Sequence, residues 1–474
     1  MKIKLGLGKA NMEMIARWCG GELYDFTADA GNCFEYVCTD SREADENTMF
    51  VATRGERVDG HDYIIKAIEQ GCRCILCEYV PTNISGKAAA YTVVENSIDA
   101  FADCARGYRA EHLLPTVAIT GSVGKTTTKE LTAAILRQKY NTYSTQGNFN
   151  SVIGMPMSLM EADGACETAV FEMGMSAFGE IRSMTRAACP KVAMVINIGS
   201  SHLEYLETRE NIAKAKLEIA EGLSEDGCLL LNGDEPLLKN HRGKHYKTYY
   251  VGVENEKCDV RAENIRIEGD RTIFDLKLFD KKLEALQLPI VGKHFAYNAA
   301  FASAAASLMG AGEREIRQGL LSYIPGAMRM NIEERNGVTL LSDCYNAAPE
   351  SMRAAIETLS AIEVKGRRIA VLGDMKELGR DSDALHRGVG KFLAQKKIDM
   401  LFTLGESGAL IAEEAILCGM KPSCVFAEIR EGENDALVAE IASAIKQGDA
   451  ILFKASRAMR LETLIEALFP QKDR

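Results

Sequence analysis

The chain has 474 residues, too many for one ordinary domain and suited to two to four. With 47% hydrophobic and 26% charged residues it has the composition of a globular protein with a large core, and no run reaches the roughly 18 apolar residues of a membrane span. The formal net charge of −11 argues against a nucleic-acid partner held by bulk electrostatics, but not against an anionic ligand bound by backbone N–H groups and a few basic side chains.

The opening stretch MKIKLGLGKANMEMIARW has a basic head but no long apolar region and no cleavage site, so no signal peptide is expected. Without a secretion signal, the 14 cysteines are expected to stay reduced, as in a cytoplasmic protein. DGHDYIIKAIEQG (59–71) has helical spacing, with Ile64, Ile65 and Ile68 on one side and Gly71 as the stop. RCILCEYV follows as a buried strand; Cys72, Cys74 and Cys77 act there as small hydrophobes, because the two separated pairs of a zinc site are absent. PTVAIT (115–120) is a strand entering a Gly-rich loop, and KELTAAILRQK (129–139) is the helix that leaves it. TAVFEMG (168–174) and KVAMVINIG (191–199) are further strands, as are the apolar runs in RRIAVLGDM, IDMLFTLGE and DAILFKAS. Short apolar strands alternating with helices mean parallel sheets covered on both faces. The expected fold is α/β: three α/β domains over residues 1–112, 113–325 and 326–474, with breaks at Leu113–Pro115 and Tyr323–Gly326.

AITGSVGKTTTKE (118–130) departs from the usual phosphate-loop pattern, because Ile119 stands where the first Gly is expected and the glycines are Gly121 and Gly124. The mechanics survive: a strand, a tight turn with inward N–H groups, and a helix N-terminus whose positive end faces an anion. Lys125 would reach the outer phosphates and Thr126 would offer a hydroxyl to Mg²⁺. TAVFEMG ends its strand on Glu172, at the edge of the crevice where parallel sheets hold ligands; it is either a metal carboxylate or a surface residue. His202 follows the next strand, as a metal contact or as a supporting residue.

The helical stretch NIAKAKLEIAEGL (211–223) carries an oddity. Ile212, Ile219, Ala220 and Leu223 form one apolar face, and Lys216 lies in its middle; Lys214 lies opposite, with Glu218 as its i, i+4 partner. Lys216 either snorkels to water or is neutral or modified, because a bare buried ammonium is costly. A desolvated lysine has a lowered pKa, and its neutral amine takes up CO₂ to give a carbamate, which is an anion that binds metal.

Together these residues resemble the Mur ligase family, which builds the peptide of bacterial cell-wall precursors. The loop TGSVGKTTTKE is similar to that family's own phosphate loop. TDSRE (39–43) with FVATRGERVDGHDY (50–63), GNFNSVIGMP (147–156) and GKHFAYNAAFASAAA (292–306) resemble further family segments, as do AMRM (327–330), DCYNAAPES (343–351), LGDMKELG (372–379) with His386, and LFKASRAMRLE (452–462). The resemblance implies a UDP-sugar-binding domain, a central ATP-binding domain with a parallel-rich sheet and a Rossmann-like C-terminal domain. It also implies an ATP- and Mg²⁺-dependent ligase that joins D-alanyl-D-alanine to UDP-N-acetylmuramoyl-tripeptide, the alternative being another Mur-like or folylpolyglutamate synthase-like ligase with a different amine substrate; a monomer is the default expectation.

Residue by residue, the resemblance implies that Gly121, Ser122, Val123, Gly124, Lys125, Thr126 and Thr127 hold the phosphates. Thr126, Glu172, His202 and carbamoylated Lys216 hold the metal, and Lys125, Lys216, Glu172 and His202 are the catalytic set. Asn298 contacts adenine, and Arg329 and Asp343 reach the nucleotide from the third domain. Ser41, Arg42, Asp59, Gly60 and His61 hold the UDP-sugar end. Asn148, Asn150, Asn346, Lys454, Ser456 and Arg457 lie toward the substrates. The chain departs from the family pattern at Phe295, Ser151, Ala348 and Ala455, where the family commonly has Asn, Asn, Asn and Gly.

Overall fold

The computed structural model describes residues 1–25, 32–55, 58–82, 89–110, 112, 114–243, 245–326, 328–429 and 435–470. Four residues of the stretches quoted above lie outside them: Glu56 and Arg57 of FVATRGERVDGHDY, Leu113 at the expected first break and Ala327 of AMRM.

Three α/β units follow one another. The first has strands β1 (Lys2–Lys4), β2 (Ala10–Asn11), β3 (Glu22–Asp25), β4 (Cys33–Phe34), β5 (Tyr36–Cys38), β6 (Thr48–Val51), β7 (Cys74–Cys77) and β8 (Ala90–Val93). β2 and β4 form a small ribbon, and the others form a six-stranded sheet of order β1-β5-β6-β7-β8-β3, parallel from β5 to β8 with antiparallel edges. β7 carries Cys74 and Cys77 and is buried along its whole length, as its unbroken apolar run predicts. The helical stretch before it opens as a 3-10 turn, Gly60–Tyr63, and becomes α-helical only over Ile64–Glu69.

The central unit has strands β9 (Thr116–Thr120), β10 (Thr142–Ser144), β11 (Thr168–Glu172), β12 (Val192–Val195), β13 (Cys228–Asn232), β14 (Lys247–Gly252), β15 (Val260–Glu268), β16 (Arg271–Leu278) and β17 (Lys281–Leu288). Their order is β10-β11-β9-β12-β13-β14-β15-β16-β17, parallel as far as β15 and antiparallel beyond it. β9, β11 and β12 are buried at every position, so their C-terminal ends lie side by side in the interior of the sheet. That is where a parallel sheet opens its ligand crevice. One face packs on the helices Lys125–Leu136 and Lys293–Leu308, and the apolar contacts run on into the helix Pro349–Ala361 of the third unit. The other face is continuous with Ile3, Leu5, Phe101 and Tyr108 of the first unit.

The third unit has strands β18 (Asn331–Arg335), β19 (Val338–Ser342), β20 (Arg368–Gly373), β21 (Met400–Leu404), β22 (Val425–Glu428) and β23 (Ala450–Lys454). Their order is β18-β19-β23-β20-β21-β22, with only β18 antiparallel. Among the described residues no helix is long and apolar enough to cross a membrane.

One sequence expectation is corrected here. The α-helix that carries Lys216 ends at Leu217, and Glu218–Gly222 tighten into a 3-10 turn. Glu218 is not the exposed partner of Lys214. It is buried, and its carboxylate accepts the Gly179 N–H at 3.0 and 2.9 Å and the Arg182 N–H at 3.3 Å. The helix Glu180–Ala188 begins at Gly179 without a side-chain cap, so its unsatisfied N–H groups draw in the carboxylate. A tertiary cap of that kind outweighs an exposed ion pair worth a few tenths of a kcal/mol.

Candidate active site

The site begins where β9 ends. Gly121 and Gly124 are required by space: a Cβ at Gly121 would lie 2.4 Å from Ile196 Cγ1, and one at Gly124 (φ +78°) would lie 2.9 Å from Asn298 Oδ1. Between them the chain turns tightly, and Lys125 opens the helix Lys125–Leu136. Asn298, in the middle of the helix Lys293–Leu308, therefore rests against the loop at the point where the helix starts.

Sequence reasoning missed the residue that holds this loop in shape. Asn197, just past β12, accepts the N–H groups of Ser122 (2.8 Å) and Val123 (2.9 Å) on Oδ1 and donates Nδ2 to the Val123 carbonyl (2.8 Å). Gly199 adds its N–H to Ser122 Oγ at 2.8 Å. The available signal was an amide side chain at the end of the neighbouring parallel strand. Asn197→Ala deprives two loop N–H groups of their acceptor, at about 1 kcal/mol each. We expect ATP to bind about tenfold more weakly, as isothermal calorimetry would register.

Lys125 curls back over the loop, with Nζ 2.8 Å from the Gly121 carbonyl. Burial pushes its pKa below the ordinary lysine value, against the opposing charges of Glu172 and Glu377 and with that of Arg329. Thr126 donates its hydroxyl to Glu172 Oε2 at 2.8 Å, and Asn150 Nδ2 donates to the other oxygen at 2.8 Å. Glu172 is buried at the end of β11, so a hydroxyl, a carboxylate and an amide converge on one point beside the loop.

Lys216 is 1% exposed and makes no hydrogen bond or ion pair with the described residues. Burial, and then the charge of Lys125, drive its pKa well below the ordinary value. Its burial removes snorkelling as an account of Lys216 and favours the neutral form of the amine. His202 has φ +66° and starts the short helix Leu203–Leu206; its Nδ1 lies 3.0 Å from Glu377 Oε2 of the third unit. The contact holds the Glu377 carboxyl below its usual range. Glu377 belongs to the quoted segment LGDMKELG but was not among the individual candidates.

The third unit contributes more. Arg329 stacks its guanidinium 3.9 Å from the centre of the Tyr345 ring. Asp343 and Lys454, expected at different ligands, form one ion pair (2.6 Å), and Lys454 also donates to the Asn346 carbonyl at 2.9 Å. Lys454 is 2% exposed, so its ammonium is spent inside the protein in this arrangement. Ser456 is buried and accepts the Lys376 N–H at 2.9 Å, while Arg457 is exposed and pairs with Glu462 at 2.6 Å. His294, one turn before Asn298, is pushed down to about 4 by burial and stays neutral. Asn148 is exposed, and its carbonyl accepts the Asn150 N–H at 2.7 Å. Thr127 is buried beneath the loop in the same helix.

The first-unit candidates form a separate cluster. Ser41 is buried at the start of a 3-10 turn, and Arg42 clamps Asp40 at 2.6 Å. Asp59 accepts both the His61 N–H (3.0 Å) and its ring Nδ1–H (2.6 Å), while His61 Nε2 accepts the Glu78 N–H at 2.9 Å. His61 is buried and stacked on Tyr79, so it orders the turn that presents Asp59 and Gly60. Among the described residues no hydrogen bond or ion pair joins this cluster to the phosphate loop.

The donor set suits a hard cation. No group of three or more His, Cys, Asp or Glu side chains converges on one point among the described residues. Mg²⁺, however, is ordinarily held by one or two carboxylates together with waters and phosphates. The Thr126–Glu172 contact and a buried lysine able to become a carbamate fit it.

A phosphate loop at the crevice of a parallel sheet, a hard-cation donor set and a third unit reaching over both define a nucleotide-dependent α/β enzyme of three units. The chain matches the family profiles described as Mur ligase family, catalytic domain (residues 34–114), Mur ligase middle domain (119–306) and Mur ligase, glutamate ligase domain (328–457). It is 37% identical over 433 residues to the UDP-N-acetylmuramoyl-tripeptide–D-alanyl-D-alanine ligase of Bacillus subtilis, covering 91% of this chain and 92% of that one. Among solved structures it resembles MurF from Acinetobacter baumannii (TM-score 0.87, 28% identity, 98% of this chain and 100% of that one). It also resembles the MurF ligase from Thermotoga maritima in complex with ADP (TM-score 0.80, 30% identity, 91% and 96%). The chain belongs to the Mur ligase family.

Proposed function

We propose that this protein is an ATP-dependent ligase that adds D-alanyl-D-alanine to UDP-N-acetylmuramoyl-tripeptide in peptidoglycan synthesis. It acts as a cytoplasmic monomer divided into a UDP-sugar-binding unit (1–112), an ATP-binding unit (113–325) and a Rossmann-like unit (326–474). The observation that carries the reading is the near full-length likeness to the Bacillus ligase, joined to a phosphate loop and a buried lysine that has no hydrogen bond or ion pair among the described residues.

A carboxylate does not react with an amine in water at useful rates, because its leaving group is an oxide. A tripeptide carboxylate oxygen attacks the γ-phosphorus of ATP, the bond to the β,γ-bridging oxygen breaks, ADP leaves, and an acyl phosphate is formed. The dipeptide amine then attacks the acyl carbon, the C–O bond to phosphate breaks, and inorganic phosphate leaves while the amine gives up a proton. Gly121–Thr127 hold the phosphates, and Lys125 balances charge on the transferring group. Thr126, Glu172, His202 and carbamoylated Lys216 would hold Mg²⁺, which supplies counter-charge between two anions. Arg329 and Asp343 act from the third unit, whose docking excludes the water that would hydrolyse the acyl phosphate. Asn298 supports the adenine end. Ser41, Arg42, Asp59 and Gly60 hold the UDP-sugar, with His61 shaping their turn. Asn148, Asn150, Asn346, Lys454, Ser456 and Arg457 line the approach of the two substrates.

The test is phosphate release with ATP and Mg²⁺ and with UDP-muramoyl-tripeptide, in the presence and absence of D-alanyl-D-alanine, the product being weighed by mass spectrometry. Release that needs both substrates, with a product heavier by one dipeptide, is the expected result. Release that does not need the dipeptide, or no release, overturns the assignment.

A further inference from the structure

Two carboxylates of the third unit cross to the central one. Glu350 accepts the Ser200 hydroxyl at 2.9 Å, and Glu377 meets His202. The second contact is built from unusual backbone on both sides. His202 (φ +66°) and Glu377 (φ +63°) are both non-glycine residues in the left-handed region, which is sparsely populated and held only where the surroundings impose it. The Glu377 carbonyl accepts the Glu204 N–H at 3.4 Å. Two residues on, Gly379 (φ +59°) lies so close that a Cβ would be 2.9 Å from Glu204 Cα. The turn is anchored in its own unit by the Lys376 N–H on Ser456 Oγ (2.9 Å) and by the Lys376–Asp374 ion pair (2.9 Å). His202 Nδ1 is 3.0 Å from Glu377 Oε2 but is not aligned as a hydrogen-bond donor to it, and it has no other partner.

We propose that Glu377 is a positioning residue for the cation site: as the third unit docks, its carboxylate takes the Nδ1–H of His202 and leaves Nε2, in its lone-pair form, as the nitrogen available to a cation. Cation affinity is thereby tied to docking of the third unit. A carboxylate behind a ligating imidazole fixes both tautomer and ring orientation, and such partners are worth about 10–100-fold in metal affinity or activity. The Ser200–Glu350 bond and the Glu204 backbone contact hold the same loop, so loss of the Glu377 side chain leaves docking intact. The inference rests on the ligase reading for the nature of the site, but not on the identity of its substrates.

The experiment uses the whole protein with ADP and titrates Mn²⁺ by electron paramagnetic resonance, a readout that needs no turnover. Glu377→Ala is expected to weaken Mn²⁺ binding by about 10-fold or more with the thermal midpoint unmoved, and Glu377→Asp or Glu377→Gln to recover part of it. The loss in the His202→Ala/Glu377→Ala double variant should be no larger than in His202→Ala alone. Mn²⁺ affinity within about twofold of wild type in Glu377→Ala, or additive losses in the double variant, overturns the proposal. If the alanine variant fails to fold, Glu377→Leu, which fills similar space without an acceptor for Nδ1–H, carries the same comparison. Wild-type protein that binds Mn²⁺ with ADP but joins no substrates counts against the ligase reading alone; wild-type protein that binds no Mn²⁺ with ADP overturns the positioning role.

Discussion

Lys125→Ala is expected to fold normally and to release phosphate at least roughly 10²–10³-fold more slowly than the wild type. Among the described residues its ammonium hydrogen-bonds carbonyls of its own loop, Gly121 and Ser122, and it is already desolvated. Removing it therefore takes away one buried charge and one good hydrogen bond, two effects of opposite sign on stability. Lys216 does not replace the charge lost at the transferring phosphoryl group, because its burial disfavours an ammonium there. Thermal melting and phosphate release on the same preparation test both halves. Turnover close to wild type would sink the phosphate-loop assignment.

Lys216→Met is the second large effect, and its value lies in separating stability from activity. Methionine has similar length and no charge, so the buried site stays filled and loses a partnerless amine; the thermal midpoint is expected to hold or rise. The variant cannot take up CO₂, and turnover should fall by at least about 100-fold, the scale on which one charge-stabilising group acts in a dry site. In the wild type, burial lowers the Lys216 pKa and so enlarges the share of neutral amine, the form that reacts with CO₂. Enzyme held in CO₂-free buffer should slow and recover on adding bicarbonate, and native mass spectra should show an added carboxyl group. Full activity in Lys216→Met, or indifference to CO₂, would refute the carbamate.

Several parts of the site were legible because their signals are local. The loop Gly121–Thr127 is written in consecutive residues between a strand and a helix. Glu172 ends an apolar strand, and Lys216 betrays itself by one misplaced charge in a helical period. The residues that escaped act across long stretches of chain. Asn197 bonds a loop from the preceding strand of the sheet, and Glu377 reaches His202 from another unit. Lys454 and Asp343 read as two separate ligands because nothing in their spacing announces that β23 and β19 lie side by side. Glu218 was misassigned for the same reason: its exposed partner was visible at i−4, whereas the helix end that it caps was not.

The sequence by itself determined the α/β class, the alternation of strand and helix, the phosphate loop and the buried lysine. Periodicity and short-range spacing are properties of consecutive residues, and they survive without knowledge of the fold. The tertiary structure alone decided which amide clamps the loop, which carboxylate lies behind His202 and which charges are spent on one another. Those choices depend on which strand ends the sheet order makes neighbours and on how the third unit rests on the second. A polar group buried at such a junction takes whatever partner the packing brings within about 3 Å, because leaving it unpaired costs about 1–3 kcal/mol.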